Sequence, residues 1–190
     1  TPIDRAQNDF VYSGRIRQVR NRHTWDAGFD ILRRQLNGRE SLYNRGAFNF
    51  ANNFGRDTAT NLRLGAPTQF WQALGDTYRA FRAWNPEFYI GDNWKASNKL
   101  TLTMGLRYQI ATRPVEARGL TELPYDCDCN NVAPRFGFAY RAHDRWGIFR
   151  GAYGVHYGEI FAATYGQTRT NPPGNILVQL NNPDLLDPYK

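Results

Sequence analysis

Few side chains in this sequence can bind a metal, move a proton or attack a carbonyl: three histidines, two cysteines and a scatter of carboxylates. The histidines are His23, His143 and His156, the residue type most used for proton transfer and metal binding. Hydrolysis built on one of them needs a nucleophile within hydrogen-bond reach or a pair of carboxylates facing it. Asp26, Asp30 and Glu87 are the acids that fall mid-strand in the reading below, and no serine stands in phase with a histidine. His23 and His143 lie at expected hairpin turns, where a solvated or interfacial role is the ordinary one. His156 is expected on the wet face of its strand near a rim, close to Glu159, and a substrate or metal contact there stays open. No catalytic residue is assigned, and the expectation is a protein that is not an enzyme and carries no cofactor.

The segment "YDCDCNN" from Tyr125 to Asn131 is the most unusual loop. Cys127 and Cys129 are separated by one residue, too close for an easy mutual disulfide without strain, although a cell-surface location would be oxidising. Asp126 and Asp128, with Asn130, could hold a divalent cation. A stretch simply rich in turn formers accounts for the same residues, and no metal site is assigned.

These residues must be held by strands. In "NKLTLTMGLRYQI" (Asn98 to Ile110) the residues Leu100, Leu102, Met104, Leu106, Tyr108 and Ile110 share one face, and Thr101, Thr103, Arg107 and Gln109 the other. Period-2 alternation is the mark of a strand with one wet side. About a dozen residues is long for a soluble strand but matches the nine to eleven or so that cross a bilayer at a tilt. The pattern recurs around Trp25, Phe29 and Ile31, around Trp84, Phe88, Ile90 and Trp94, around Phe136, Phe138 and Tyr140, and around Phe149, Tyr153 and Tyr157. It is poorer around Phe10, Tyr12 and Ile16. Strands are expected near residues 9–20, 23–36, 77–96, 99–113, 134–142 and 146–158.

Composition agrees. Aromatics make up 15% of the chain, with 17 glycines and 10 prolines. The mean hydropathy is −0.66, and no run approaches the roughly 18 apolar residues of a transmembrane helix. Alternating lipid and lumen residues cancel in any average, so a transmembrane barrel reads as aromatic-rich yet hydrophilic. The net charge of +7 is scattered, with "RIRQVRNRH" (Arg15 to His23) the densest cluster. No nucleic-acid-binding motif accompanies it, and no nucleic-acid partner is expected.

Short links ("RNR" before His23, "SN" at Ser97 and Asn98, "AHDR" before Trp146) alternate with long ones at 37–76, 114–133 and after Glu159. Tight turns on one side and long loops on the other are the layout of an outer-membrane barrel. A soluble antiparallel sheet shows the same alternation. Against it stand the strand lengths, the turn asymmetry and the Trp or Tyr at strand ends (Trp25, Trp94, Trp146, Tyr108, Tyr157), where interfacial girdles belong. The fold expected is all-β: part of an antiparallel transmembrane β-barrel, about six or seven strands of a larger one. Residues 1–190 would all belong to that barrel domain, and the chain, lacking an initiator Met, reads as a piece of a longer polypeptide. The Leu100–Ile110 face would meet outer-membrane lipid. Glu87, Arg107, Gln109, Arg135, Arg150 and His156 would face the lumen, in contact with a plug or a passing substrate.

Two stretches carry a family resemblance. "GDNWKASNKLTLTMGLRYQ" resembles the "DDW…R-L-T-L-x-L-G-L-R-Y" stretch of TonB-dependent outer-membrane receptors, and "NVAPRFGFAYRAHDRWGIFRGAYGVHYGE" resembles their "APRFGFAY…LRGGYGxFY" hairpin. The likeness is greatest to the Oar-like, Acidobacteria-type group with a carboxypeptidase-regulatory-like domain. "RHTWDAGFDILRRQ" supplies its His23, Gly28 and Asp30, and "DTATNLRLGAPTQF" resembles its "A-x-A-D-F-L-L-G-x-P" loop, departing at Asp57 to Leu64, where polar residues replace some apolar ones. The resemblance implies a barrel of roughly 22 strands in the bacterial outer membrane, closed by an N-terminal plug and energised through it by TonB, ExbB and ExbD. It also implies transport of a bulky nutrient such as an oligosaccharide or siderophore. The plug and the rest of the barrel would lie outside this chain. The alternative is an adhesion or secretion-associated barrel without active transport.

Overall fold

The computed structural model describes residues 3–143 and 147–190; the His143 side chain, Asp144, Arg145 and Trp146 fall outside the described part. Six long strands form one antiparallel sheet: β1 (Ile3–Arg20), β2 (His23–Glu40), β5 (Arg79–Lys95), β6 (Leu100–Ala111), β8 (Asp128–His143) and β9 (Gly147–Gly154), ordered β1-β2-β5-β6-β8-β9. A two-residue strand β7 (Val115–Glu116) pairs β5 above β6. No described strand covers the outer edge of β1 or of β9, so the sheet does not close. No helix is long and apolar enough to cross a membrane.

The short links all fall at one end. Asn21 turns the chain between β1 and β2 with a φ of 55°, a left-handed value that asparagine tolerates. Ser97 caps the next turn, its Oγ accepting from the Lys99 and Leu100 amides. The long links, 41–78 and 112–127, lie at the opposite end.

Register fixes the two faces. The row Ala27–Ile90–Leu106–Pro134 and the row Phe29–Phe88–Tyr108–Val132 run straight across β2, β5, β6 and β8. Ile90, Leu106, Phe88, Phe136, Phe138 and Tyr153, all on this face, are each more than a third exposed. An apolar face of this extent is far larger than a soluble protein leaves uncovered. Where this face meets Gly14 and Gly151, the rings of Phe29 and Phe138 fold over the glycines, so close that a Cβ there would stand 2.6 Å from the ring edge.

Several expectations need correction at strand ends. β1 begins at Ile3 and β2 runs to Glu40, because the two pair without a break for their whole 18 residues. β8 begins at Asp128, where "DCNNVA" pairs with β6 through a register shift after Gln109. β9 ends at Gly154, not 158; beyond it Val155 keeps one backbone bond to Pro134, and the chain then leaves the sheet. Cys127 and Cys129 are joined in a disulfide, their Cα atoms 5.4 Å apart. The register shift at the start of β8, where three residues of β8 span two of β6, contracts the backbone and brings the pair within bonding range.

The long links are ordered rather than plain loops. β3 (Ala47–Asn49), β4 (Gln69–Leu74) and β10 (Ile176–Asn181) form a second sheet in the order β10-β4-β3. Helix α1 (Thr58–Arg63) is capped by Asp57, whose carboxylate accepts from the Thr60 amide at 2.7 Å. The Thr60 hydroxyl, and after it that amide bond, hold the Asp57 carboxyl below its usual range. Asn61 is fully buried and donates to Ala51 O and Asn53 O, so the polar residues of Asp57 to Leu64 are what order this loop. After β9, α2 (Ala162–Gly166) and a 3-10 turn (Gln167–Thr170) fold back over the polar side of the sheet. There Ala162 and Tyr165 pack with Leu36, Phe81 and Leu123, the Phe81 and Tyr165 rings meeting edge-on at 5.6 Å.

Candidate functional site

Opposite the apolar face, register lines up Asp26–Gly91–Gly105–Arg135, Gly28–Tyr89–Arg107–Ala133 and Asp30–Glu87–Gln109–Asn131. All six residues singled out from the sequence are on this side or in phase with it. Glu87, Arg107, Gln109 and Arg135 lie in these rows. Arg150 pairs across from Ala139 in the next strand. His156, past the end of β9, lies beside Gly154, its Nε2 3.3 Å from where a Cβ there would be.

The wall binds itself before it binds anything else. Glu87 accepts from Gln109 Nε2 at 2.5 Å and faces Arg107 Nε at 2.9 Å. Asp30 stands across from Glu87 in register, and Arg107 offsets the negative charge that the two carboxylates bring together. Asp26 is forked by two guanidiniums, Arg15 Nε at 2.6 Å and Arg17 Nη2 at 2.8 Å, with Arg15 Nη2 closing the bidentate pair. Charged, bidentate bonds of this kind are among the strongest and most directional a wall can make. Higher up, Arg34 bridges Asp9 at 3.1 Å and Glu159 at 3.6 Å. Glu159 is thereby turned toward Arg34, and no ion pair joins it to His156 among the described residues.

Arg135 and Arg150 differ from these: neither forms an ion pair among the described residues, and the Arg135 Nε is buried without an acceptor. Arg135 stands between two open grooves. One of about 350 Å³ also touches Arg15, Asp26, Tyr89, Asn93 and Arg107. The other, about 520 Å³, touches Thr101, Thr103, Ala139, Gly154 and His156. Tyr89 lies over Gly28 so closely that a side chain there would strike its hydroxyl, which fixes the ring flat against the wall. The surface can therefore offer hydrogen bonds and a positive field to a polar solute or to a folded domain inside the barrel.

At the long-loop end the wall is covered by the chain's own segment. Arg169 is almost wholly buried there, donating to Gly166 O at 2.6 Å and Gly38 O at 3.1 Å beneath the Phe81 ring. Burial lowers its pKa from the ordinary arginine value, and burial likewise pushes the Tyr165 phenol up. Among the described residues no group of three or more His, Cys, Asp or Glu converges as metal ligands.

Sequence reasoning missed the partners Arg15 and Arg17, and it missed Asp92. Asp92 shares the parity of Ile90 and Trp94 and so lies on the apolar face, 4% exposed, with His23 Nδ1 2.5 Å from its Oδ2. The signal was available: an acid in phase with an apolar set, across from Trp25.

A long-stranded sheet with one exposed apolar face, one ion-paired polar face, short turns at one end and structured loops at the other defines a transmembrane β-barrel of the bacterial outer membrane. The chain belongs to the family described as "Outer membrane beta barrel domain", which matches residues 1–126 and 119–189. No curated protein and no solved structure matches it.

Proposed function

We propose that this chain is part of the barrel of a TonB-dependent receptor, of the Oar-like group, that moves a bulky nutrient such as an oligosaccharide or a siderophore across the outer membrane without covalent chemistry. The observation that carries the reading is the polar wall across six strands whose sheet remains open at both edges. Open edges are not tolerated in hydrocarbon, so further strands complete the barrel. A barrel much wider than eight strands encloses a lumen that side chains alone do not fill. The paired wall charges then serve as a hydrated lining, and Arg135, Arg150 and His156 are the groups free to meet a plug or a solute. Energy would come from TonB, ExbB and ExbD acting through the plug.

The test is uptake. Cells lacking the protein should lose accumulation of one scarce solute from a panel of iron siderophores and oligosaccharides, and a proton uncoupler should abolish that accumulation in the parent. Accumulation that survives uncoupling, or a deletion that alters only attachment to surfaces, would point to the adhesion or secretion reading. Hydrolysis of a panel compound by purified protein, lost on His156→Ala, would point to an enzyme.

A further inference from the structure

We propose that the end of the second sheet, at the long-loop end of the barrel, is a binding site for a neutral saccharide; its part in capturing cargo rests on the transport reading above. The site is a groove of about 440 Å³ lined by six amide side chains, Asn49, Asn52, Asn53, Gln69, Asn181 and Asn182. Asn181, Gln69 and Asn49 stand in one cross-strand row of β10, β4 and β3, so their side chains leave the sheet on the same face. Beyond the row the chain closes on itself. Thr68 donates its amide to Asn49 O and accepts at its carbonyl from the Asn182 amide, both at 2.9 Å. Asn53 Nδ2 donates to Asn182 Oδ1 at 3.1 Å, across 129 residues of sequence.

Five of the six amides are tied at one end and free at the other. Asn49 Nδ2 donates to Gln69 Oε1 at 3.4 Å, which leaves Asn49 Oδ1 and Gln69 Nε2 without partners among the described residues. Asn52 Oδ1 accepts from the amide and the hydroxyl of Thr58, Asn181 Oδ1 from Gln179 and Asn182 Oδ1 from Asn53, so each presents an unpaired NH2. Asn49, Asn52, Asn181 and Asn182 are exposed and Gln69 half-buried, so a ligand can reach them. The tied ends hold the free ones in place before anything binds, which lowers the cost of binding. One acceptor and four donors on neutral groups suit hydroxyls, each of which accepts at two lone pairs and donates one proton. Neighbouring hydroxyls on a sugar ring meet several amides at once. No charged side chain lines the groove among the described residues. An anion would give up hydration to a site without a cation, and a cation to one without a carboxylate. An apolar solute would leave the amides unpaired. The volume falls within the range of about 300–1,000 Å³ usual for small-ligand sites.

The complete barrel in detergent, labelled and laid on an array of neutral oligosaccharides printed beside uronic-acid-bearing ones and uncharged peptides, reads the class of ligand. A neutral oligosaccharide should be retained over both others, and calorimetry with that oligosaccharide then reads the site. Asn52→Asp and Gln69→Glu keep the tied oxygen and replace the free NH2 by an oxygen. Each should weaken binding about tenfold, the size of one hydrogen bond. Gln72→Glu, the same charge on the opposite face of β4, should bind as the parent does. Failure of the unmodified protein to retain any neutral oligosaccharide, or binding that Asn52→Asp and Gln69→Glu leave intact, overturns the proposal. Uptake separates the two readings. Groove-dependent binding by a protein whose deletion costs no solute uptake supports the site and contradicts transport, whereas uptake of the bound oligosaccharide that both variants leave unimpaired overturns the groove's part in capture.

Discussion

Replacing Leu106 by Arg puts a guanidinium where the apolar face is deepest. Leu106 is six residues along β6 from Leu100, at the short-turn end. At about 3.3 Å per residue that is roughly 20 Å of strand. A tilt of about 45° makes it roughly 14 Å of depth, near the middle of a hydrocarbon core about 30 Å thick. An arginine at the midplane of a barrel's lipid face costs about 2–4 kcal/mol, falling to about 0–1 near the interface. Leu102 is only two residues in, roughly 5 Å of depth by the same arithmetic, so Leu102→Arg should cost about 1 kcal/mol. Thr103→Arg enters the polar wall and loses one exposed bond, from its hydroxyl to Asn93 at 2.7 Å, so it should cost about 1 kcal/mol. Reversible unfolding of the complete barrel from vesicles in a denaturant series reads all three. A Leu106 variant no worse than the other two would refute both the face assignment and the depth.

Gly28→Ala drives a methyl into Gly14 O and the Tyr89 hydroxyl and should destabilise by about 1–3 kcal/mol, whereas Gly105→Ala meets only ordinary contacts of 3.5 Å or more and should be nearly neutral in the same assay. Tyr165→Ala should cost about 3 kcal/mol by emptying the cluster around Phe81 and expose 162–170 to protease. Tyr165→Phe should cost almost nothing, because the phenol oxygen has no partner to lose. Asp57 has its carboxyl pKa lowered by bonds that exist only when α1 is folded. Its contribution is therefore full above the ordinary carboxylate range and is lost as pH falls through the lowered value. The protection factor of the Thr60 amide, its exchange divided into the intrinsic rate at each pH, should fall in acid in the parent and much less so in Asp57→Asn.

Strand faces were legible because alternation needs no partner to be seen: Leu100 to Ile110 announces its two sides alone. Partners were not. Asp26 could be flagged as a mid-strand acid, yet its arginines depend on the β1–β2 register, which a weakly alternating "DFVYSGRIRQVR" does not display. Asp92 was passed over because the apolar set Trp84, Phe88, Ile90 and Trp94 was followed across the gap it leaves at that position. The second sheet and α1 escaped because polar, Asn-rich segments such as 47–63 hold themselves by side-chain-to-backbone bonds, Asn61 above all, and such bonds leave no periodicity. The disulfide escaped because spacing alone does not say that the chain contracts between Cys127 and Cys129. Of the six residues expected to line a lumen in contact with a plug or a solute, Glu87, Arg107, Gln109, Arg135 and Arg150 share the polar side of the sheet by register. Glu87, Arg107 and Gln109 instead hold one another.

The central claim is that the exposed apolar face meets lipid and the ion-paired face meets water. A fluorophore or spin label replacing Met104, which is 39% exposed on the apolar side, and another replacing Thr103 on the wall, test it in bilayers containing the complete barrel. The label at Met104 should be quenched by lipid-soluble agents and ignore water-soluble ones, and the label at Thr103 should do the reverse. Quenching of both by the aqueous agent alone would contradict the account.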